Sequence, residues 1–288
     1  MEFNVTLSDP ARVTPCFDDV MSMVGHTLRD LGHTTVDLGG VDPRRTNIVF
    51  GYYIAPEAFS RPCIVYQLEP VSDATVASGM VPVDLLREHT VWDYSRRNIE
   101  QLRRFGVEAH HVPPGFHPGL RRIAPANTFI DVLFYGKQTP RRDRVVDRLR
   151  QAGLGVLNVQ GSYGPRLDAV IARSKVVLCM HSHGWMRVLE SVRVTYLMAN
   201  RKAVVAEINP GDDADGLADG LLGVGYDDLV DACIALVRDD AARAELEEAG
   251  FRTISARPFH ETLAEVLPLA TPFAAPGSRW GTAPRMVG

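Results

Sequence analysis

The sequence predicts an α/β protein built from two open parallel sheets, on three observations. Short apolar runs alternate with stretches whose apolar residues recur at helical spacing, the signature of strand, crossover helix and strand. The alternation occurs twice, before and after a stretch from Pro113 to Pro125 that is rich in Pro and Gly and breaks every regular pattern. The 288 residues, 45% of them apolar and 23% charged, are enough for two cores and too apolar for a disordered chain.

In the first half, Glu2 to Leu7 reads as a strand. Phe17 to Leu31 reads as a helix, with Val20, Met21, Val24, Leu28 and Leu31 on one face and Gly32 to stop it. Strands follow at Thr34 to Leu38, Asn47 to Gly51, Cys63 to Leu68 and Thr90 to Trp92. A helix from Ser95 to Phe105 ends at Gly106, and Glu108 to Val112 is a further strand. The second half repeats the scheme. Ile130 to Tyr135 is a strand, Thr139 and Pro140 form an N-cap and first-turn pair, and Val145, Val146, Leu149 and Ala152 give the next helix an apolar face up to Gly153. Gly155 to Val159, Lys175 to Met180 and Ala203 to Ala206 are strands. Pro165 to Arg173 and Trp185 to Asn200 are helices, helices dominate Asp227 to Ala249, and Thr262 to Leu267 is one more. Thr271 to Gly288 has no period and reads as a loose tail.

Composition narrows the function classes. The formal charge of −4, from 31 basic and 35 acidic side chains, gives no overall positive field for non-specific nucleic-acid binding. Only Lys137, Lys175 and Lys202 are lysines, so the other 28 basic residues are Arg, which grips phosphates with a planar fork; a GC-rich coding bias is the ordinary alternative. Cys16, Cys63, Cys179 and Cys233 stand far apart with no metal-ligand spacing, the pattern of reduced, buried thiols. No apolar run approaches a membrane span and no leader pattern opens the chain, so the expectation is a cytoplasmic protein.

Ligands of open parallel sheets sit beyond the carboxyl ends of the strands, where helix N-termini favour anions. Four loops fall there. Gly136 and Lys137, followed by Arg141 and Arg142 on the opening helical turn, suit a diphosphate; a solvated basic helix face is the even alternative. Gln160, Gly161 and Ser162 form a small polar loop able to hold a base or phosphate, or an ordinary turn. His181 and Ser182, with His183, follow an almost wholly apolar strand, so an imidazole could hydrogen-bond a phosphate or sugar hydroxyl there. Glu190 and Arg193, neighbours one to two turns into the expected helix, offer a carboxylate for vicinal hydroxyls or a simple ion pair, and Glu207 ends the next strand. In the first half Gly51, Tyr52, Gln67, Glu69, Trp92, Asp93 and Tyr94 follow strands and face the expected cleft. Polar groups beside rings suit a sugar or flat acceptor, and Asp93 or Glu69 could act as a general base; packing of the rings and helix capping by Asp93 is the alternative.

The stretch from about Ile130 to Glu207 resembles the nucleotide-sugar domain of the GT-B glycosyltransferases, in particular glycosyl transferases group 1 (family 4-like). The likeness rests on Asp131-Val132-Leu133-Phe134-Tyr135-Gly136-Lys137, on Leu178-Cys179-Met180-His181, and on Leu189-Glu190-Ser191-Val192-Arg193 leading through Leu197-Met198-Ala199-Asn200 to Val204-Val205-Ala206-Glu207. Asn47 to Gly51, Ile64 to Glu69, Val91 to Ser95 and Val112 to Phe116 resemble a reduced acceptor-side domain. The resemblance implies two Rossmann-like parallel-sheet domains facing a cleft, with residues 1–124 on the acceptor side, 125–257 binding a nucleotide sugar, and 258–288 a terminal helix and tail. It implies that Lys137 and Arg141 hold a donor diphosphate, that Glu190 holds the donor ribose, and that His181 belongs to the catalytic group. The chain departs from the family's Glu-x7-Glu pattern, since Ser182 stands at the first acidic position, and a longer spacing to Val204 permits another register with Tyr196 at the second. The expected activity is metal-independent transfer of a sugar from a nucleoside-diphosphate sugar, UDP- or GDP-linked, to an acceptor hydroxyl on a small molecule, glycan or modified base, with no other cofactor. A non-catalytic nucleotide- or sugar-binding protein is the rival reading. Transfer to modified DNA bases is a third, suggested by Arg96, Arg97, Arg103 and Arg104 and opposed by the net charge.

Overall fold

The computed structural model describes residues 1–8, 15–51, 63–212 and 214–269. Two parallel sheets carry the chain. The first comprises β1 (Glu2–Leu7), β2 (Thr34–Val36), β3 (Thr46–Phe50), β4 (Ile64–Gln67), β5 (Thr90–Asp93) and β6 (Ala109–His111), in the order β2-β1-β3-β4-β5-β6. The second comprises β7 (Ile130–Tyr135), β8 (Val156–Val159), β9 (Ser174–Cys179), β10 (Ala203–Glu207) and β11 (Leu222–Val224), in the order β11-β10-β9-β7-β8. Every pairing is parallel, so each strand needs a crossover, and the central strands are covered on both faces. That is why β9 and β10 read as continuous apolar runs rather than alternating ones: all five residues of β10 are buried.

The helices are α1 (Asp18–Asp30), α2 (Asp73–Ala77), α3 (Val83–Leu86), α4 (Arg96–Arg104), α5 (Pro140–Gln151), α6 (Gly164–Ala172), α7 (Ser191–Ala199), α8 (Leu229–Arg238), α9 (Asp240–Ser255) and α10 (Phe259–Val266). The capping expected at α5 is present: Thr139 Oγ1 accepts the Arg142 N–H, Pro140 occupies the first turn, and Gly153 follows the helix at φ +84, where a side chain would be strained. Periodicity missed α2, α3 and β11, which are too short to show a period. It also extended α7 too far. Residues 185–190, expected to be helical, form a loop that ends at Glu190, the residue before the first turn of α7. Met186, Val188 and Leu189 are buried there as a loop, and apolar spacing alone does not separate that from a helical face. The expected tail, 271–288, lies outside the described residues.

The chain returns to the first sheet at its end. Phe116 N–H donates to Arg257 O at 2.7 Å and Phe259 N–H to Phe116 O at 2.9 Å, which seats α10 beside α1. Phe259 and Leu263 are fully buried in one cluster with Val20, Met23 and Val24 of α1. Phe259→Ala is therefore expected to lower the unfolding free energy by about 3–5 kcal/mol, the usual cost of emptying a core aromatic site, read from the urea midpoint.

Candidate functional site

A cavity of about 420 Å³ lies where the carboxyl edges of the two sheets face each other. From the first sheet it is lined by the start of α1 and by the loops after β4 and β5. From the second it is lined by the loops after β7 and β8 and by the segment that enters α7. Its size falls in the range of small-molecule sites.

The wall on the second sheet is cationic. Gly136, at φ +136, turns the chain out of β7; a β-carbon there would lie 3.0 Å from Arg193 Nη2, so only glycine leaves that guanidinium its place. Lys137 follows, exposed at the cavity edge. Arg142 occupies the third position of α5 and is 3% exposed. Its guanidinium donates to Met180 O at 2.6 and 3.0 Å, to Lys137 O at 2.9 Å and to Glu190 Oε1 at 2.6 Å. Arg193 lies over the Tyr135 ring, 4.5 Å from its centroid, with Nη1 2.5 Å from Glu190 Oε2. Burial and the neighbouring Arg193 lower the pKa of Arg142 against the pull of Glu190. Burial also opposes the charge of Arg193, yet Glu190 carries the balance upward. Two buried guanidinium groups thus share one carboxylate beside an ammonium, a cluster with positive charge to spare facing a cavity.

Arg141 and His181 are corrected by the structure. Neither lines the cavity. Arg141 turns to the opposite side of α5, where Glu207 receives it at 2.7 and 2.5 Å and Tyr226 lies 3.7 Å beneath its guanidinium. His181 is 2% exposed, its backbone N–H donating to Glu207 Oε2 at 3.0 Å and its Nε2 lying 3.2 Å from Asp212 Oδ2. Burial disfavours the Glu207 carboxylate, but hydrogen bonds from Arg141 and Asn209 outweigh it and lower its pKa. Gln160 is exposed outside the cavity, whereas Gly161 and Ser162 line it. Ser182 lines it too, with its hydroxyl 3.1 Å from Met186 Sδ. Glu190 lines the cavity as expected, from the N-cap position of α7 rather than from within the helix, and with both oxygens engaged by guanidinium groups.

On the first sheet Glu69 and Tyr94 line the cavity. Asp93, Gln67 and Trp92 do not, and all three are fully buried. Asp93 accepts from Gln67 Nε2 at 2.8 Å, Ser95 N at 2.8 Å and Asn98 Nδ2 at 3.2 Å; burial raises its pKa well above the carboxylate range. It organises the β5–α4 turn and does not line the cavity. Trp92 packs edge-on against Tyr66. Gly51 follows β3, buried and outside the cavity lining, and Tyr52 lies outside the described residues. Of the thiols, Cys63, Cys179 and Cys233 are buried, with burial pushing each up to about 12, while Cys16 is exposed at the cavity and corrects the expectation of four buried thiols. No group of three or more His, Cys, Asp or Glu side chains converges as a metal site among the described residues, and no described helix is long and apolar enough to cross a membrane.

Sequence reasoning missed Asp18, Asp19 and Asp168, which line the cavity together with Arg142, read from the sequence only as a companion of Arg141 on the opening turn, and Tyr196, read only as an alternative register. A signal for Arg142 was present: it shares the spacing of Val145, Val146 and Leu149, so it lies on the buried face of α5. Asp19, Asp168 and Tyr196 meet around Arg122 of the interdomain stretch. Arg122 pairs with Asp19, donates to Tyr196 Oη at 3.1 Å and lies 3.7 Å from Asp168, and Tyr196 donates to Asp168 at 2.6 Å.

No family model matches the chain. An uncharacterised protein of Acanthamoeba polyphaga mimivirus is 26% identical over 156 residues, 51% of this chain and 48% of that protein, so the chain matches about half the length of that relative. Among solved structures it is similar to a sucrose-phosphate synthase from Thermosynechococcus elongatus, with TM-score 0.60, 12% identity and coverage of 93% of this chain and 98% of that one. It is also similar to AviGT4, a glycosyltransferase of avilamycin A biosynthesis, with TM-score 0.57, 16% identity and coverage of 92% and 96%. T4 phage BGT, solved with its UDP-glucose substrate, gives TM-score 0.58, 11% identity and coverage of 92% and 97%.

The acid limb of stability tests the Arg141 network. Glu207 contributes stability that is complete above its ordinary pKa of 4.5 and is lost as pH falls through its lowered folded value. Glu207→Gln is expected to lower the thermal midpoint at pH 7 and to flatten its decline below about pH 4.5, measured by circular dichroism. The six-stranded and five-stranded parallel sheets, with their carboxyl edges facing one cleft, give this chain the GT-B fold of the glycosyltransferases it resembles.

Proposed function

We propose that the chain is a glycosyltransferase that moves a sugar from a nucleoside-diphosphate sugar, UDP- or GDP-linked, to an acceptor hydroxyl. One observation carries the reading: Arg142 and Arg193 share the single carboxylate of Glu190 on a wall of the interdomain cavity that Lys137 also lines. A diphosphate is the ligand whose charge and fork-shaped acceptors match that surplus. The same solved structures support it, since the T4 phage enzyme was solved with UDP-glucose and TarM, at TM-score 0.56 and 11% identity, with UDP.

In this reading the cations stabilise charge that develops on the diphosphate as the sugar leaves, the task a metal ion performs elsewhere. Glu190 fixes both guanidinium groups so that no reorganisation is needed during the reaction. A carboxylate accepts about four hydrogen bonds, so Glu190 retains capacity for the ribose hydroxyls. Gly161 and Ser162 offer backbone and hydroxyl groups to the base. The acceptor is a hydroxyl of a small molecule or glycan, received from the side of the first sheet.

A thermal-shift panel of UDP, GDP, ADP, TDP and CMP is expected to give stabilisation by at least one diphosphate, unchanged by EDTA. Stabilisation by none removes the reading. Lys137 is exposed, so Lys137→Ala is expected to leave the free protein's midpoint unchanged while weakening that nucleotide about tenfold by calorimetry, the loss of one charge-assisted contact. A nucleotide that binds with no turnover of its sugar conjugate favours the binding-protein alternative.

A further inference from the structure

We propose that Asp18 is the catalytic residue that takes the proton from the acceptor hydroxyl. The inference rests on the donor reading above and adds a second wall to that site. Three cavities meet at this side chain. Asp18 lines the 420 Å³ cleft, a cavity of about 690 Å³ beside the interdomain stretch, and a groove of about 410 Å³ between α1 and β2; no other residue lines all three. A donor whose diphosphate lies on Lys137, Arg142 and Arg193 takes up the cleft itself. The acceptor body is then left with one of the two outer cavities, and from either its hydroxyl reaches the donor past the Asp18 carboxylate.

Of the other carboxylates near the cleft, Glu69 lines the cleft alone and borders neither outer cavity, and the rest are committed. Glu190 is held by two guanidinium groups, Asp19 by Arg122, and Asp168 by Tyr196 and Arg122. Asp93 is sealed beneath the floor. Asp18 stands in the first turn of α1 with its side chain accessible to solvent and in no ion pair among the described residues. Burial of part of the carboxyl, together with Asp19 and Asp37, raises its pKa above the ordinary value, which moves it toward the range in which a carboxylate accepts a proton near neutrality.

The step this geometry serves is a direct displacement. The acceptor oxygen bonds to the anomeric carbon while the bond from that carbon to the diphosphate oxygen breaks. The electron pair of the broken bond leaves with the diphosphate, toward the cationic wall, and the hydroxyl proton passes to a carboxylate oxygen of Asp18. Attack opposite the leaving group inverts the anomeric carbon.

Water serves as the acceptor in the test, with UDP-glucose as the donor and the full chain as the enzyme. Asp18→Asn is expected to lower kcat for UDP release by about 10²–10⁴-fold, the range of general base catalysis, with the Kd for UDP changed by less than about twofold. Retained stabilisation by UDP shows that the variant folds; if it does not, Asp18→Ser replaces it. The glucose released by the unmodified protein is expected to appear first as the β anomer by proton NMR, since the donor is α-linked. Release by Asp18→Asn within about fivefold of the unmodified protein, α-glucose as the first product, or UDP-glucose that binds without hydrolysis each overturns the assignment of Asp18. Failure of every nucleotide to bind is a different result and overturns the donor reading instead.

Discussion

The cleft depends on one carboxylate held between two guanidinium groups. Glu190 sits where the loop after β9 enters α7, Arg142 comes from the first turn of α5, and Arg193 from the first turn of α7. Their pairing joins two segments that lie 48 residues apart in sequence. Arg142 also holds the carbonyl groups of Met180 and Lys137, so the ends of β9 and of the β7–α5 loop are fixed to the same side chain. Removing the carboxylate would leave two buried cations facing each other, a state that costs far more than a lost surface ion pair.

The neighbouring Arg141 shows why that cluster, and not the whole basic run, faces the cleft. Arg141 and Glu207 neutralise each other one to one, with two short hydrogen bonds and a tyrosine ring beneath. Arg142 and Arg193 share one acid between them, beside an ammonium with a solvent-facing position. The first network thus holds β10 and its following loop, and the second keeps the charge surplus on which the proposed donor site rests. The opposite wall carries acids instead. Arg122 draws Asp19 and Asp168 together across the interdomain stretch, and Asp18 remains at the junction of three cavities. In the proposed reaction such a cleft would separate a place for the leaving anion from a place where the proton is received.

The return of the chain gives the two sheets a common frame. Phe116 donates to Arg257 O and accepts from the Phe259 N–H, and α10 buries its apolar face against α1, whose first turn borders the cleft. The position of the acidic wall is thus tied to the last described helix, although nearly 250 residues separate them in the chain.

The sequence by itself determined the alternation of strands and helices, the division at the Pro-rich stretch, the cap at Thr139 and the sheet edge on which Gly136, Lys137, Ser182 and Glu190 stand. These follow from local rules of period, backbone freedom and capping, which act over a few residues. Tertiary structure decided what each polar side chain faces. Arg141 and Arg142 are adjacent and chemically identical, yet about 100° of helical rotation sends one to Glu207 and the other to Glu190. Asp93 and Trp92 stand at a strand end that looked open and are covered by Gln67, Asn98 and Tyr66. Asp18 and Asp19 look like ordinary first-turn acids until the second sheet is placed opposite them. Burial and pairing between distant segments are properties of the packed chain, and spacing along the sequence carries no record of them.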